Sequence, residues 1–418
     1  MNKIIFSFSM LCVVISYTGQ SKSSSNIEKI KISNVIDITA GMKNIQTVKL
    51  SEIVDSITFI PFETTKASLM SQGGVRSIKF SVEFIFYYEM YFDWNGAHRG
   101  SIIAKGQGPL EQPQGLSNLL FKDNHFYNKG SKFLEFDING KATGKVRNLY
   151  ASSGLGTNDF LRNARAFFST GKYLAVYDFP TTLYYLNTDF EVVSSRTVFQ
   201  ADSVPPYLAG LGEGSKHVTF YNDRTLFYNF MNDTVFYVSD TGLEPRWVVK
   251  FDSPLRLPNE PLLKINDLLQ EMRKHFSGSL ENAALFRLTD NKHKVLVCYE
   301  TESLLFFPMI EILQMAEPRG KKPPVPYIVY FDKNTGKTVR VRGNGFVDDL
   351  LGMDYFYPNL GIFNGKMIKI IWPHELNDFI EDCKKNKREV SPQLIALSKK
   401  IDVEDNPILI LAHVKKKI

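Results

Sequence analysis

Short apolar–polar alternations, each closing on Asp or Asn and a tight turn, recur along this chain. Tyr91-Phe92-Asp93-Trp94-Asn95-Gly96 is the first, and Phe133-Leu134-Glu135-Phe136-Asp137-Ile138-Asn139-Gly140 repeats it. Leu183 to Phe190, Val235 to Gly242 and Tyr327 to Lys337 carry further copies, centred on Asn187, Asp240 and Asp332. Alternation at period two puts one face of a strand in a core, and Asp/Asn-Gly supplies the positive φ of a tight turn, so each copy predicts a β-hairpin. The first four anchors follow one another at roughly 44 to 53 residues, the length of a four-stranded propeller blade at about 40 to 50 residues. Asp240 to Asp332 spans roughly twice that, room for two blades or for one blade with a long insertion.

Helical spacing appears mainly in the second half. Leu262, Leu263, Ile265, Leu268, Leu269, Met272 and Phe276 recur at helical intervals before Gly278. A second helix is predicted from about Glu375 to Lys387, and a short one after Pro392. Their apolar stripes read as core-facing decorations on blade edges. The strand-like runs Ile57 to Phe62 and Pro407 to Val414 stand near opposite ends of the chain. Their pairing would close a ring and remove exposed sheet edges.

Composition agrees with strands. The 418 residues include 32 Phe and 19 Tyr but only 3 Trp, a bias that suits pleated, half-buried surfaces. The net charge of +6 comes from scattered residues, apart from Lys384, Lys385, Lys387 and Arg388. No basic stripe interleaved with stacking aromatics is present, which argues against nucleic-acid binding.

The N-terminus has the order of an export signal: Lys3, then the apolar stretch Ile4 to Ile15, then small and polar residues to Ser25. Such a stretch is too short to span a bilayer, which takes roughly 20 residues, and no later segment is long and apolar enough. Leu11 precedes Cys12 inside the apolar stretch, so cleavage between Ser16 and Ser21 is favoured over lipid attachment. The expected organisation is a signal peptide over 1–21, a linker over 22–47 and the propeller over 48–418. The mature chain then sits in the periplasm or at the cell surface, as a monomer. Cys298, within an apolar run, reads as a small core residue.

Three further stretches carry a resemblance. Leu50 to Thr64 (Leu-Ser-Glu-Ile-Val-Asp-Ser-Ile-Thr-Phe-Ile-Pro-Phe-Glu-Thr), the Gly-rich Lys105-Gly106-Gln107-Gly108-Pro109-Leu110-Glu111, and Glu404 to Leu411 bracket nearly the whole mature chain. On these motifs the chain resembles the six-bladed β-propeller proteins abundant in Bacteroidetes, many of them exported or lipid-anchored and of unassigned function. The resemblance implies an all-β fold, a six-bladed β-propeller, here with short helical insertions in the C-terminal half. It carries no catalytic residues.

Chemistry is sparse. The Lys105–Glu111 loop lacks the Walker spacing and reads as a turn between blades. Seven scattered histidines form no His-Glu-x-x-His, and there is no Cys-x-x-Cys, so neither metal nor cofactor is expected. No Gly-x-Ser-x-Gly elbow occurs. The function these features predict is a non-enzymatic binding or interaction module of the cell envelope, with a glycan or an envelope protein as partner. Trp94 and Trp372, with Tyr355 and Tyr357, are the aromatics available for stacking on sugars. Arg76, Lys105 and the pair Asp348-Asp349 are the polar candidates at a channel mouth. The alternative is a propeller hydrolase or lyase using those polar residues, because funnel mouths gather groups from several blades.

Overall fold

The computed structural model describes residues 34–102, 108–111, 118–130, 132–148, 164–179, 181–199, 217–252, 256, 292–311 and 326–417. The export signal, Lys105 and the helix predicted over 262–276 lie outside them.

The described residues form a six-bladed β-propeller. Blade 1 runs from Ile78–Phe80 to His98–Ser101, blade 2 from Leu119–Lys122 to Ala142–Asn148, and blade 3 from Ala164–Ser169 to Val192–Thr197. Each has four antiparallel strands in sequence order. Blade 4 spans Val218–Tyr221 to Gly242–Lys250. The long Asp240–Asp332 interval holds one blade, the fifth. It begins with His293–Val295 and Tyr299–Glu300, which both pair with Leu304–Glu311, and ends at Thr338–Val341.

Blade 6 is assembled from both ends of the chain. Gly361–Phe363 pairs with Lys366–Ile371, which pairs with Ile408–Val414, and that strand pairs with Val54–Pro61 in the register Ile408↔Pro61 to Val414↔Val54. The predicted closure is therefore the observed one. Residues 34–47, expected as a linker, are woven onto the ring instead. Val35–Asp37 lies parallel to Gly242–Lys250, and Ile45–Gln46 lies parallel to Thr338–Val341, each as an added outer strand. The turn of helix between them, Ile38–Lys43, is capped by Asp37, whose carboxylate accepts from Ala40 N at 2.8 Å.

Buried apolar side chains fill every seam between neighbouring blades. Phe86 and Tyr91 meet Phe126 and Phe136; Tyr127 and Phe133 meet Leu174 and Val176. Tyr177, Phe227 and Phe307 continue the series, then Phe306 with Ile410, and finally Leu409 with Phe92. No blade buries its faces alone, so stability comes from the ring.

The repeated turns share one device. Asp93 Oδ1 accepts from Asn95 N and Ala97 N, Asp137 Oδ1 from Asn139 N and Lys141 N, and Asn187 Oδ1 from Asp189 N and Glu191 N. Asp332 repeats it with Asn334 N and Thr335 N. Asp240 differs. It stands in a two-residue hairpin, and its carboxylate accepts from Thr170 Oγ1 and Lys172 N of blade 3.

The predicted C-terminal helices are Pro373–Lys385 and Pro392–Ser398, both inserted between the second and third strands of blade 6. Leu376, Ile380 and Cys383 form the buried stripe of the longer helix. Cys298 is buried and unbridged, as is Cys383.

Candidate functional site

The first strand of each blade faces the axis, and together these strands wall a cavity of about 490 Å³. Ile78–Phe80 and Gly361–Phe363 have three residues, Leu119–Lys122 and Val218–Tyr221 four, and Ala164–Ser169 six, so these walls stand roughly 10–20 Å tall at about 3.3 Å per residue. The cavity wall carries the aromatic side chains Phe80, Phe121, Phe167, Phe220 and Phe363, interspersed with the hydroxyls of Ser169, Thr219 and Thr225.

Charged and amide side chains stand toward the two ends. Where the inner strands begin, Lys79 Nζ donates to Asn118 Oδ1 at 3.0 Å, and Asn118 Nδ2 donates to the Lys129 carbonyl at 3.1 Å. His217 is at the same end, with Nδ1 3.1 Å from the Tyr228 carbonyl. A carbonyl only accepts, so the ring proton sits on Nδ1. Behind this end, burial raises the Asp178 carboxyl to about 6, against the opposing charge of Lys129. Where the inner strands turn back, Val82, Glu83, Asp223 and Asn364 form the rim. Asn364 holds φ at +46°, and its Oδ1 is buried without a hydrogen-bond partner.

The candidates from the sequence are dispersed around this channel. Trp94, half-buried, stands one layer behind the wall, stacked on Phe80 at 5.8 Å and on Phe363 at 5.6 Å. Its Nε1 donates to the Ser81 carbonyl at 3.2 Å, and Lys366 Nζ lies 5.4 Å from its ring centre. Trp372 precedes the Pro373–Lys385 helix, where its N–H donates to Glu375 Oε2 at 2.9 Å. Its ring lies 6.5 Å from that of His374. Asp348 is 3% exposed; Oδ1 accepts from Leu350 N and Leu351 N, and burial raises its pKa. Asp349 accepts from Ser51 N at 3.0 Å and Ser51 Oγ at 2.5 Å. Asp348 therefore holds its own turn, Asp349 ties that turn to the Leu50–Ile53 helix, and neither is on the channel wall. Arg76 belongs to the 3-10 turn Gln72–Ser77. Tyr355 is exposed on the small Phe346–Val347/Tyr355–Phe356 hairpin.

Sequence reasoning missed the channel residues Lys79, Asn118, His217 and Asn364. It also missed a buried ion pair within blade 5 that Tyr237 of blade 4 contacts. Lys333 Nζ lies 2.6 Å from Glu300 Oε1, and Tyr237 donates to Glu300 Oε2 at 3.0 Å. Burial lowers the Lys333 pKa. Among the described residues no group of three or more His, Cys, Asp or Glu is placed to hold a metal ion.

The fold and its channel define a six-bladed β-propeller with one axial cavity of ligand size. The chain belongs to the DUF4934 family, a domain of unknown function whose model matches residues 33–413. This agrees with the resemblance carried by the terminal motifs. A candidate exported protein of Bacteroides fragilis shares the fold, with a TM-score of 0.60 at 17% identity over 92% of this chain and 99% of that one. BamB from Moraxella catarrhalis aligns with a TM-score of 0.31 at 11% identity, over 68% of this chain and 66% of that one. The Pan2 WD40 domain of Neurospora crassa gives 0.30 at 11%, over 65% and 66%. Neither of these two distant likenesses carries an argument. No curated protein matches the chain.

Proposed function

We propose that this protein is an exported, non-enzymatic binding module of the cell envelope that takes its ligand in the axial channel. The observation that carries the reading is the channel wall. Six blades contribute to one cavity of about 490 Å³ whose wall mixes aromatic side chains with polar ones. Pockets of roughly 300–1,000 Å³ with that make-up are the usual form of a small-ligand site. The charge–apolar–small order at the N-terminus supports export, and no helix among the described residues is long and apolar enough to cross a membrane. The hydrolase or lyase reading draws no support from Asp348 and Asp349, whose carboxylates bond the Leu350-Leu351 backbone and Ser51, away from the channel.

The test is a thermal-shift screen of the purified chain against glycans, sugars, amino acids and short peptides, repeated on Val82→Trp. Val82 is 53% exposed on the rim, so a bulky side chain there obstructs the mouth without disturbing the core. Ligands are expected to raise the melting temperature of the wild type and not of the variant. Ligands that stabilise both proteins equally would place binding elsewhere.

A further inference from the structure

We propose that the axial channel takes a flat, uncharged aromatic molecule of two or three fused rings; this rests on the channel being the ligand site.

The first observation is where the wall phenylalanines stand. Phe80, Phe121, Phe220 and Phe363 each hold the third position of an inner strand, in Ile78–Phe80, Leu119–Lys122, Val218–Tyr221 and Gly361–Phe363. Phe167, on Ala164–Ser169, adds a ring from blade 3. Matching positions on matching strands bring these rings toward one layer of the axis. Phe363 lies 5.9 Å from Phe80 and 6.1 Å from Phe220, so rings from blades 1, 6 and 4 form one continuous surface. Phe80, Phe121, Phe167 and Phe220 are only half-buried, and each lines the cavity. A ligand there removes apolar ring surface from water on four blades at once.

The second observation is that the polar side chains of the wall are engaged with the protein. Thr219 Oγ1 donates to the Cys298 carbonyl at 2.8 Å, Thr225 Oγ1 to the Ser169 carbonyl at 3.4 Å, and Ser81 Oγ to the Phe84 carbonyl at 3.2 Å. Lys79 is held by Asn118, whose amide donates in turn to the Lys129 carbonyl. Glu83 and Asp223 are exposed where the strands turn back. A charged ligand would therefore give up hydration among the rings for little return, and the hydroxyls of a sugar would find few donors. An uncharged ring system loses little by leaving water and gains stacking. The third observation is size. An apolar cavity of about 150 Å³ holds one benzene, so about 490 Å³ has room for two or three fused rings.

Isothermal titration of the full chain with indole, indoleacetate and tryptamine tests this: one uncharged ring system, then the same rings carrying an anion or a cation. Indole is expected to bind at one site per chain, and both charged analogues at least tenfold more weakly. Phe220→Leu and Phe121→Leu, on different blades so that poor folding of one leaves the other, should each weaken indole at least threefold. Absent indole binding, binding no tighter than that of either charged analogue, or binding indifferent to both substitutions overturns the assignment. If indole fails while another molecule of the screen stabilises wild type and not Val82→Trp, the aromatic assignment falls and the channel reading stands. If indole binds Val82→Trp as well as wild type, both fall.

Discussion

Trp94 stacks on Phe363 across the seam between the first and last blades, with ring centroids 5.6 Å apart and planes 17° from parallel. Phe80 covers the same indole at 5.8 Å, so one tryptophan braces two residues of the channel wall. The ring seam and the cavity are thereby coupled at one side chain. Gly96, two residues on, lets the same turn lie against the Val54–Pro61 strand of blade 6. It holds φ at +86°, and a Cβ there would sit 2.1 Å from the Pro61 carbonyl oxygen.

Trp94→Ala should therefore cost stability and ligand affinity together. The loss is expected near the lower end of the ~3–5 kcal/mol typical of large aromatic truncations, because the indole is only half-buried. Trp94→Phe, which keeps an aromatic face, should recover most of both. Urea denaturation and thermal-shift titration give the two readouts. Affinity unchanged in the alanine variant would uncouple the brace from the channel.

The seam also predicts what holds the ring shut. Ile408–Val414 pairs on both sides, with Lys366–Ile371 and with Val54–Pro61. Ending the chain at Asn406 would bare two strand edges, and the truncated protein should aggregate and lose its cooperative melt. Ile410, 0% exposed, offers a milder test. Ile410→Ala should cost about 2–5 kcal/mol in urea denaturation. A soluble, cooperatively melting truncation would refute closure as a source of stability.

Phe190 stands where the sister turns have Gly96, Gly140 and Gly336. It takes φ = +63° beside their +86°, +77° and +70°. The strained backbone is offset by its ring, 1% exposed and stacked 5.0 Å from Phe133. Left-handed backbone costs a side-chain-bearing residue about 1–2 kcal/mol, and losing a buried Phe costs about 3–5. Phe190→Gly should thus destabilise by roughly 2–3 kcal/mol. A more stable glycine variant would mean that strain dominates packing there.

Asp178 gives the pH dependence. Its carboxyl titrates at about 6 in the folded protein because it is buried, against about 3.9 in an unfolded chain. Between those values the folded state keeps a proton that the unfolded state has released. Its contribution to stability is full below about pH 4, falls as pH rises to about 6, and is then constant. Asp178→Asn should remove this decline. The difference in unfolding free energy between wild type and variant, taken at pH 4.5, 5.5 and 7, should grow in the variant's favour. A difference that does not change with pH would contradict the assignment.

Most of the blade architecture was legible because its signals are local. Asp93, Asp137, Asn187 and Asp332 each bond their own turn, so residue type and neighbours sufficed to locate the hairpins. Asp240 looked alike in sequence, but its carboxylate turns to the neighbouring blade, a contact no local pattern records. The outer strands at Val35–Asp37 and Ile45–Gln46 were hidden for a related reason. They are too short for periodicity and gain their pairing from residues far along the chain. The channel was the least legible part. Each blade gives it only a few residues of its first strand, and Lys79, His217 and Asn364 look like ordinary strand or turn positions until the ring closes.

Hydrogen exchange with and without the strongest ligand from the screen tests the channel claim most directly. Protection is expected to concentrate in the inner strands and their turns, residues 78–83, 217–223 and 360–364. Protection confined to outer strands such as 192–197, with the inner strands unchanged, would contradict it.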